Sequence, residues 1–152
     1  MKASIELLKQ LREETQASVA DCRVALEEAN GDIDKAREVL KKKGFERAEK
    51  KADREAKQGL VESYIHQNGK IGVIVELLCE TDFVARTDEF KALAHEVAMQ
   101  IAAMDPKDKD ALLKQEYIRD ASKTIEALVK ETIAKLGENI LVGKFNRISV
   151  GE

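Results

Sequence analysis

The chain has 152 residues, of which 43% are hydrophobic and 36% are charged. This length suits one domain or two small ones, and the apolar fraction can bury a core, which argues against wholesale disorder. The net charge of −3 argues against a dedicated duplex-DNA binder, because such proteins are usually basic. One proline, no tryptophan and 4% aromatic residues favour a largely helical protein.

Cysteine usage and hydropathy indicate a cytoplasmic protein. Cys22 and Cys79 lie far apart, with neither metal-ligand spacing nor a disulfide framework, as expected in a reducing compartment. Residues 1–6 lack the apolar centre of a secretory signal. The longest apolar run, residues 71–79, is interrupted by Glu76 and is too short to cross a bilayer, so we expect no membrane insertion.

Residues 1–43 show the pattern of three short helices. Aliphatic residues recur at helical spacing, Ser18 can cap a second helix, and Asp32 can cap a third. Asn30-Gly31 ends the second helix and Gly44 ends the third, because these residues tolerate left-handed backbone angles. Such a small aliphatic core would be only marginally stable alone.

Residues 44–57 are interpreted as a basic helical linker between two domains. From Lys41 to Lys57, eight Lys or Arg residues oppose four acidic residues, a local charge of +4, and Phe45 is the one large apolar residue. The helix propensity is high, but the apolar residues form no continuous face. This pattern favours a solvated helix, with contact to RNA or the ribosome as the alternative.

From residue 58 onwards the periodicity becomes that of a small α+β domain. Two β-rich runs, residues 60–66 and 71–79, flank Asn68-Gly69, and this dipeptide is the strongest short signal for a hairpin. The second run is almost continuously apolar, which predicts a central strand buried on both faces.

Two amphipathic helices follow the hairpin. The first is capped by Asp88 and carries an apolar stripe that ends at Met104, and the second starts at Ser122 and stops at Gly137. The polar segment between them is expected to include a short helix around residues 111–117.

Residues 140–150 predict a third strand, with a bulge at Gly143. The predicted fold class is therefore α+β, with three N-terminal helices followed by a small antiparallel sheet covered by helices over residues 58–152. A sheet of about three strands has two open edges, and pairing across a two-fold axis is one way to cover them.

Signals for catalysis, nucleotide binding and metal binding are weak. His66 and His95 have no second ligand at metal spacing, and no Ser or Cys lies in a nucleophile motif. The eight glycines are scattered and form no phosphate-binding loop, so we expect neither direct nucleotide binding nor a cofactor. The acidic residues at 32–34 and 105–110 lack the spacing of a calcium loop.

The connector between the second strand and the next helix is the most unusual segment. Phe83 and Val84 lie in the middle of residues 79–88, where a surface connector is normally polar. In one interpretation, Phe83 folds back as a plug under the helix. In the other, Asp82 and Phe83 project together into a partner, where the ring fills an apolar slot and the carboxylate engages a polar or cationic group.

The same connector closely resembles the signature of the bacterial elongation factor Ts family, in the run from Cys79 to Arg86. Residues 11–33 resemble that family's N-terminal ubiquitin-associated-like three-helix domain, while residues 136–140 and 150–152 resemble its C-terminal segment. The resemblance covers nearly all of the chain outside residues 105–120. Several motifs in the family's order are far more specific than any single one.

This resemblance implies a guanine-nucleotide exchange factor for elongation factor Tu, the GTPase that carries aminoacyl-tRNA to the ribosome. Phe83 is implied to wedge between side chains of the GTPase domain near its magnesium site, with Asp82 in contact nearby, and no covalent chemistry is implied. The residues matched by resemblance are Thr81, Asp82, Phe83 and Val84 at the magnesium-disturbing element, and Arg12, Val19 and Arg23 in the N-terminal domain.

The chain departs from the family in two places. Gln16, Val19 and Ala20 stand where members often carry Gly and Met. Longer members duplicate the core and insert a coiled-coil hairpin, and residues 105–120 replace that region here. A second copy of the chain could supply the absent half-core, so we predict a homodimer formed by pairing of sheet edges.

Two other functions remain open from the sequence. The first is an interaction adaptor without exchange activity, which would use the three-helix domain and the basic linker and keep Phe83 in its core. The second is an RNA-binding or ribosome-binding protein that uses the +4 segment, and its affinity should fall steeply with salt.

Overall fold

The structure is a computed structural model that describes residues 3–152, so Met1 and Lys2 of the N-terminal segment considered above lie outside it. The elements in chain order are α1 (Ile5–Thr15), α2 (Val19–Glu28), α3 (Ile33–Lys50), β1 (Gln58–Ile65), β2 (Ile71–Cys79), α4 (Asp82–Ala85), α5 (Asp88–Met104), α6 (Lys109–Lys114), β3 (Glu116–Tyr117), β4 (Asp120–Thr124), α7 (Ile125–Leu136) and β5 (Leu141–Ser149). The predicted α+β class, with helices followed by a small antiparallel sheet, is confirmed. None of the helices described is both long enough and apolar enough to cross a membrane.

The first three helices begin where the sequence predicts and enclose a small core. The Ser18 hydroxyl accepts a hydrogen bond from the backbone N–H of Asp21 at 3.1 Å, and Asp32 Oδ1 accepts one from Asp34 N–H at 3.0 Å. These caps satisfy N–H groups that the helices leave unpaired. The buried residues of this core are Leu11, Cys22, Ala25, Leu26, Ala29 and Ala36.

The third helix is longer than predicted. Gly44 was expected to end it, but α3 continues to Lys50 and includes half of the segment interpreted as a linker. A Cβ atom at Gly44 would lie 3.0 Å from the Cβ atom of Ala134 in α7. Gly44 therefore permits a close approach of α3 to α7, and its lack of a side chain serves packing rather than helix termination.

The main sheet has the order β1-β2-β5 and is antiparallel throughout, so the predicted central position of β2 is confirmed. The prediction that β2 is buried on both faces is wrong. Val73, Val75 and Leu77 are buried on the face covered by α5, whereas Ile74 on the opposite face is 54% exposed. In the part of the chain that the structure describes, helices cover one side of the sheet, and the other face, which carries Ile74, is open to solvent.

The bulge predicted at Gly143 is present in β5. The register of β2 against β5 shifts between Val75 and Leu77, where Glu76 stands opposite an extra residue. The Glu76 carboxylate accepts a hydrogen bond from the backbone N–H of Lys144 at 3.2 Å, and a Cβ atom at Gly143 would clash with the same oxygen. Glycine leaves room for this carboxylate beside the bulged strand.

The segment between α5 and α7 contains a hairpin that the sequence did not predict. The short helix α6 is followed by the two antiparallel strands β3 and β4, which form this hairpin. The fully buried Gln100 of α5 holds this hairpin, because its Nε2 donates to the carbonyl of Glu116 and its Oε1 accepts from the N–H of Ile118, both at 3.0 Å. Long-range side-chain contacts of this kind leave no local pattern in the sequence.

Three predicted helix positions are also corrected. Thr87 rather than Asp88 caps α5, and Thr124 rather than Ser122 caps α7, since Ser122 belongs to strand β4. The short helix predicted around residues 111–117 begins and ends earlier, as α6. Met104 was assigned to the apolar stripe of α5, but its side chain is 51% exposed at the end of the helix.

An ion pair joins the start of α2 to the extension of α3. Both terminal nitrogens of the Arg47 guanidinium donate to the Asp21 carboxylate, at 3.0 and 2.8 Å. Hydrogen bonds from Arg47 and from Ser18 lower the pKa of Asp21 from 3.8 to about 2. The pair therefore connects the N-terminal helices to the part of α3 that packs on α7.

We expect Arg47→Met to lower the free energy of unfolding by about 1 kcal/mol at neutral pH, a modest value because solvent screens the half-exposed Arg47. The folded pKa of Asp21 lies below its unfolded value, so this stabilisation is complete above about pH 4 and is lost as the pH falls towards about 2. Urea unfolding of both proteins at pH 7 and at acidic pH measures the difference. Lys42→Met, an exposed change on the same helix, is the control, and a pH-independent difference would contradict the assignment.

Candidate partner-binding site

The connector singled out in the sequence folds as a one-turn helix that exposes Phe83. We call residues Thr81–Arg86, which include α4, the Phe83 turn. The Phe83 side chain is 88% exposed, whereas the next two residues, Val84 and Ala85, are 9% and 4% exposed and join the main core. The interpretation of Phe83 as a core plug is therefore wrong, because its two neighbours anchor the turn and leave the ring outside.

Capping and loop hydrogen bonds explain why this short turn is helical. The Thr81 hydroxyl accepts from the N–H of Val84 at 3.4 Å, and the Thr87 hydroxyl donates to the Val84 carbonyl at 2.8 Å. The Cys79 thiol donates to the carbonyl of Thr81 at 3.1 Å. Burial raises the pKa of the Cys79 thiol, which keeps it protonated and able to donate at neutral pH.

Two residues of the segment between α7 and β5, Glu138 and Asn139, also form hydrogen bonds to the Phe83 turn and the residue before it. The Glu138 carboxylate accepts from the backbone N–H of Thr81 at 2.9 Å and from its hydroxyl at 2.7 Å. The N–H of Asn139 donates to the Glu80 carboxylate at 3.3 Å. Sequence reasoning missed the contribution of Glu138, because it lies 57 residues from Thr81 and no local pattern connects the two positions.

The charge beside Phe83 is already paired within the turn. The Asp82 carboxylate lies 2.6 Å from the Arg86 guanidinium, and these side chains are 55% and 79% exposed, respectively. Exposed ion pairs of this kind contribute about 0–1 kcal/mol. Asp82 can therefore exchange Arg86 for another polar or cationic group at little cost.

The N-terminal candidates form a second group, located away from the turn in sequence. Arg12 lies exposed in the last turn of α1, whereas Val19 and Arg23 lie four residues apart in α2 and so share one helix face. Val19 is half-buried and Arg23 is exposed. Among residues 3–152, no hydrogen bond or ion pair joins these three side chains to the Phe83 turn.

The histidines and cysteines contribute no further site. The Tyr64 hydroxyl lies 3.2 Å from His66 Nδ1, and its ring contacts His95 edge-on at 6.0 Å between centroids. Cys22 and Cys79 are buried free thiols in the two separate cores. In the described part of the chain, no cluster of three or more His, Cys, Asp or Glu side chains is arranged to hold a metal ion.

Known proteins of the same family match the chain along its whole length. The family model for elongation factor Ts matches residues 80–152, which begin just before the Phe83 turn. The chain is 46% identical over 197 aligned positions to elongation factor Ts of Coprothermobacter proteolyticus, an alignment that covers 100% of both proteins. It is 45% identical over 195 positions to elongation factor Ts of Thermotoga neapolitana, covering 100% of this chain and 99% of that protein. The chain belongs to the elongation factor Ts family.

The chain is shorter than the two relatives described above. The alignment to the Coprothermobacter protein has 197 positions and the chain has 152 residues, so about 45 aligned positions have no counterpart here. The sequence resemblance locates the departure at residues 105–120, the segment that α6 and the start of the Gln100-bound hairpin occupy. The family membership also makes this chain a translation elongation factor, a protein of protein biosynthesis.

Proposed function

We propose that the chain is the guanine-nucleotide exchange factor of elongation factor Tu, binding its GDP-bound form and accelerating the release of GDP. Two observations support this proposal: the membership in the elongation factor Ts family and the exposed ring of Phe83 on an anchored turn. Of these, the exposed ring carries the mechanism. The Phe83 ring is 88% exposed and is held outward by two buried neighbours, Val84 and Ala85, so it is available to fill an apolar slot in a partner.

The proposed mechanism is competition between two ligands of one GTPase. GDP is held by phosphate contacts and by Mg²⁺. A protein that binds the nucleotide-free GTPase more tightly than the GDP complex weakens GDP binding by the same factor. In the proposal, Phe83 enters the GTPase domain near its magnesium site, Asp82 contacts it nearby, and Thr81 and Val84 hold the two in position. The chain itself makes and breaks no covalent bond, so it is not an enzyme, and it needs no cofactor.

Burying one phenylalanine contributes about 1.5–3 kcal/mol, which corresponds to about tenfold to a hundredfold in affinity. Exchange on the timescale of translation needs more than this, so we assign a second contact to the N-terminal helices. We propose that residues 1–43 form a ubiquitin-associated-like domain that binds the same GTPase domain through Arg12, Val19 and Arg23. Residues 44–57 connect it to the core domain of residues 58–152, which carries the Phe83 turn.

The direct test is the release of fluorescently labelled GDP from elongation factor Tu, followed by stopped flow with and without this chain. We expect the chain to accelerate release in a concentration-dependent manner. A release rate that does not change at saturating chain would overturn the proposal. Binding without acceleration would favour the adaptor, and salt-sensitive binding to ribosomal RNA alone would favour the RNA-binding function. A role in translation also implies a cytoplasmic location.

We further propose that the chain is a homodimer and place its contact on the open face of the sheet. This face carries apolar side chains from all three strands, which antiparallel sheets normally replace with polar ones on a solvated face. Its exposed members are Val61, Ile65, Ile74, Leu141 and Ile148. Strand register places Ile65 and Ile148 on the two sides of Gly72, so this row of the face is apolar across all three strands. Two such faces can pack about 10 Å apart across a two-fold axis. This contact is an alternative to the edge pairing that the sequence predicts.

A further inference from the structure

The Phe83 turn depends on one carboxylate from a distant part of the chain. Glu138 follows Gly137, whose positive φ of 76° ends α7 and redirects the backbone towards β5. Both oxygens of its carboxylate are used by a single residue, one accepting the backbone N–H of Thr81 and the other accepting its hydroxyl, at 2.9 and 2.7 Å. Hydrogen bonds with a charged acceptor are about twice as strong as neutral ones.

The hydroxyl bond has a directional consequence. Since the Thr81 hydroxyl donates its only proton to Glu138, its lone pairs are left to accept from the N–H of Val84, which is the cap of the turn. The backbone bond fixes the residue immediately before Asp82 and Phe83. Glu138 thus sets the position and the orientation from which the Phe83 ring projects.

The neighbouring residue ties the same place to α3. Asn139 is 1% exposed, and its side-chain amide donates to the carbonyls of Ala52 and Arg54, at 3.3 and 2.8 Å, just beyond the end of α3. Its backbone N–H donates to Glu80 at the base of the turn. Asn139 therefore links the base of the Phe83 turn to the chain just after α3, the last of the three N-terminal helices.

We propose that Glu138 is a positioning residue for exchange, holding the Phe83 turn in the geometry that enters the partner GTPase. This inference rests on the proposed exchange function. In this proposal, Glu138 contacts neither GDP nor magnesium and acts only through its hydrogen bonds to Thr81. Without the Glu138 carboxylate, the burial of Val84 and Ala85 would still keep Phe83 exposed. The ring would then adopt several orientations, and some of them would not fit the partner's apolar slot.

The test compares Glu138→Ala with Glu131→Ala, which removes a glutamate of similar exposure that ties α7 to β4 through Lys123, away from the turn. We expect Glu138→Ala to slow stimulated GDP release about tenfold, the effect of losing about 1.4 kcal/mol of charged hydrogen bonding. Glu131→Ala should match the parent. Glu138→Gln, which retains one acceptor for the Thr81 N–H, should recover part of the loss.

A double-mutant cycle separates positioning from general destabilisation. If Glu138 acts through the ring, Phe83→Ala combined with Glu138→Ala should be no slower than Phe83→Ala alone, within about twofold. Losses that multiply would overturn the inference, as would parent-like release by Glu138→Ala. Parent-like release by Phe83→Ala would instead refute the proposed site, so the two failures are distinguishable.

Hydrogen–deuterium exchange supplies a measurement that does not involve the partner. Backbone amides of residues 82–87 should exchange faster in Glu138→Ala than in Glu131→Ala or the parent. Unchanged protection would contradict the positioning role. If Glu138→Ala does not fold, Thr81→Val keeps the backbone N–H bond to Glu138 but removes the hydroxyl, and with it both the hydroxyl bond to Glu138 and the cap on the N–H of Val84. We expect this variant to slow release about threefold, and no loss would also overturn the inference.

Discussion

Phe83→Ala is expected to slow the GDP release stimulated by this chain about tenfold to a hundredfold while leaving the fold intact. The ring is 88% exposed, so its removal should change the free energy of unfolding by no more than about 0.5 kcal/mol. In the complex the same ring would be buried, which contributes about 1.5–3 kcal/mol. Stopped-flow release of labelled GDP from elongation factor Tu and urea unfolding measure the two effects on the same protein samples.

Two further variants serve as controls for the effect of Phe83→Ala. Phe83→Leu keeps an apolar side chain of smaller area and should lose only about threefold in the release rate. Met104→Ala truncates another exposed apolar side chain, 51% exposed, and should match the parent. If Phe83→Ala released GDP at the parent rate, the Phe83 turn would not be the exchange element. If it unfolded, the exposed position of the ring would be contradicted.

Ile74→Lys is expected to convert the homodimer into a monomer. Ile74 lies on the central strand in the middle of the open sheet face, where a facing copy would bury it. A buried lysine without a partner costs several kcal/mol, and a loss of about 3 kcal/mol raises the dissociation constant more than a hundredfold. Size-exclusion chromatography with light scattering should give the mass of two chains for the parent and of one chain for the variant.

Ile118→Lys is the matched control for the dimer contact. It makes the same change at an exposed isoleucine in the β3–β4 hairpin, which lies outside the sheet face, and should leave the mass unchanged. A parent that elutes as a monomer at micromolar concentration would refute the homodimer. A dimer that survives Ile74→Lys would move the contact back to the strand edges.

The location of the candidate site, the connector between β2 and α5, was predictable from its local sequence. The apolar pair at positions 83 and 84 within a surface connector indicated an unusual segment, and the family resemblance pointed to the same residues. Local sequence did not decide which of the pair is exposed, because both interpretations use the same residue types. The burial of Val84 and Ala85 against the core settled this point, since a one-turn helix that buries these two must turn Phe83 outward.

Local sequence patterns correctly predicted the helical caps at Ser18 and Asp32, the hairpin at Asn68-Gly69, the central position of β2 and the α+β class. These features depend on backbone preferences and hydrophobic periods within a few residues. Three features became evident from the packed fold alone: α3 passes through Gly44, one face of the sheet is open, and Glu138 binds Thr81 of the Phe83 turn. Each of these depends on a contact between residues far apart in the chain, and such contacts exist only once the elements have packed.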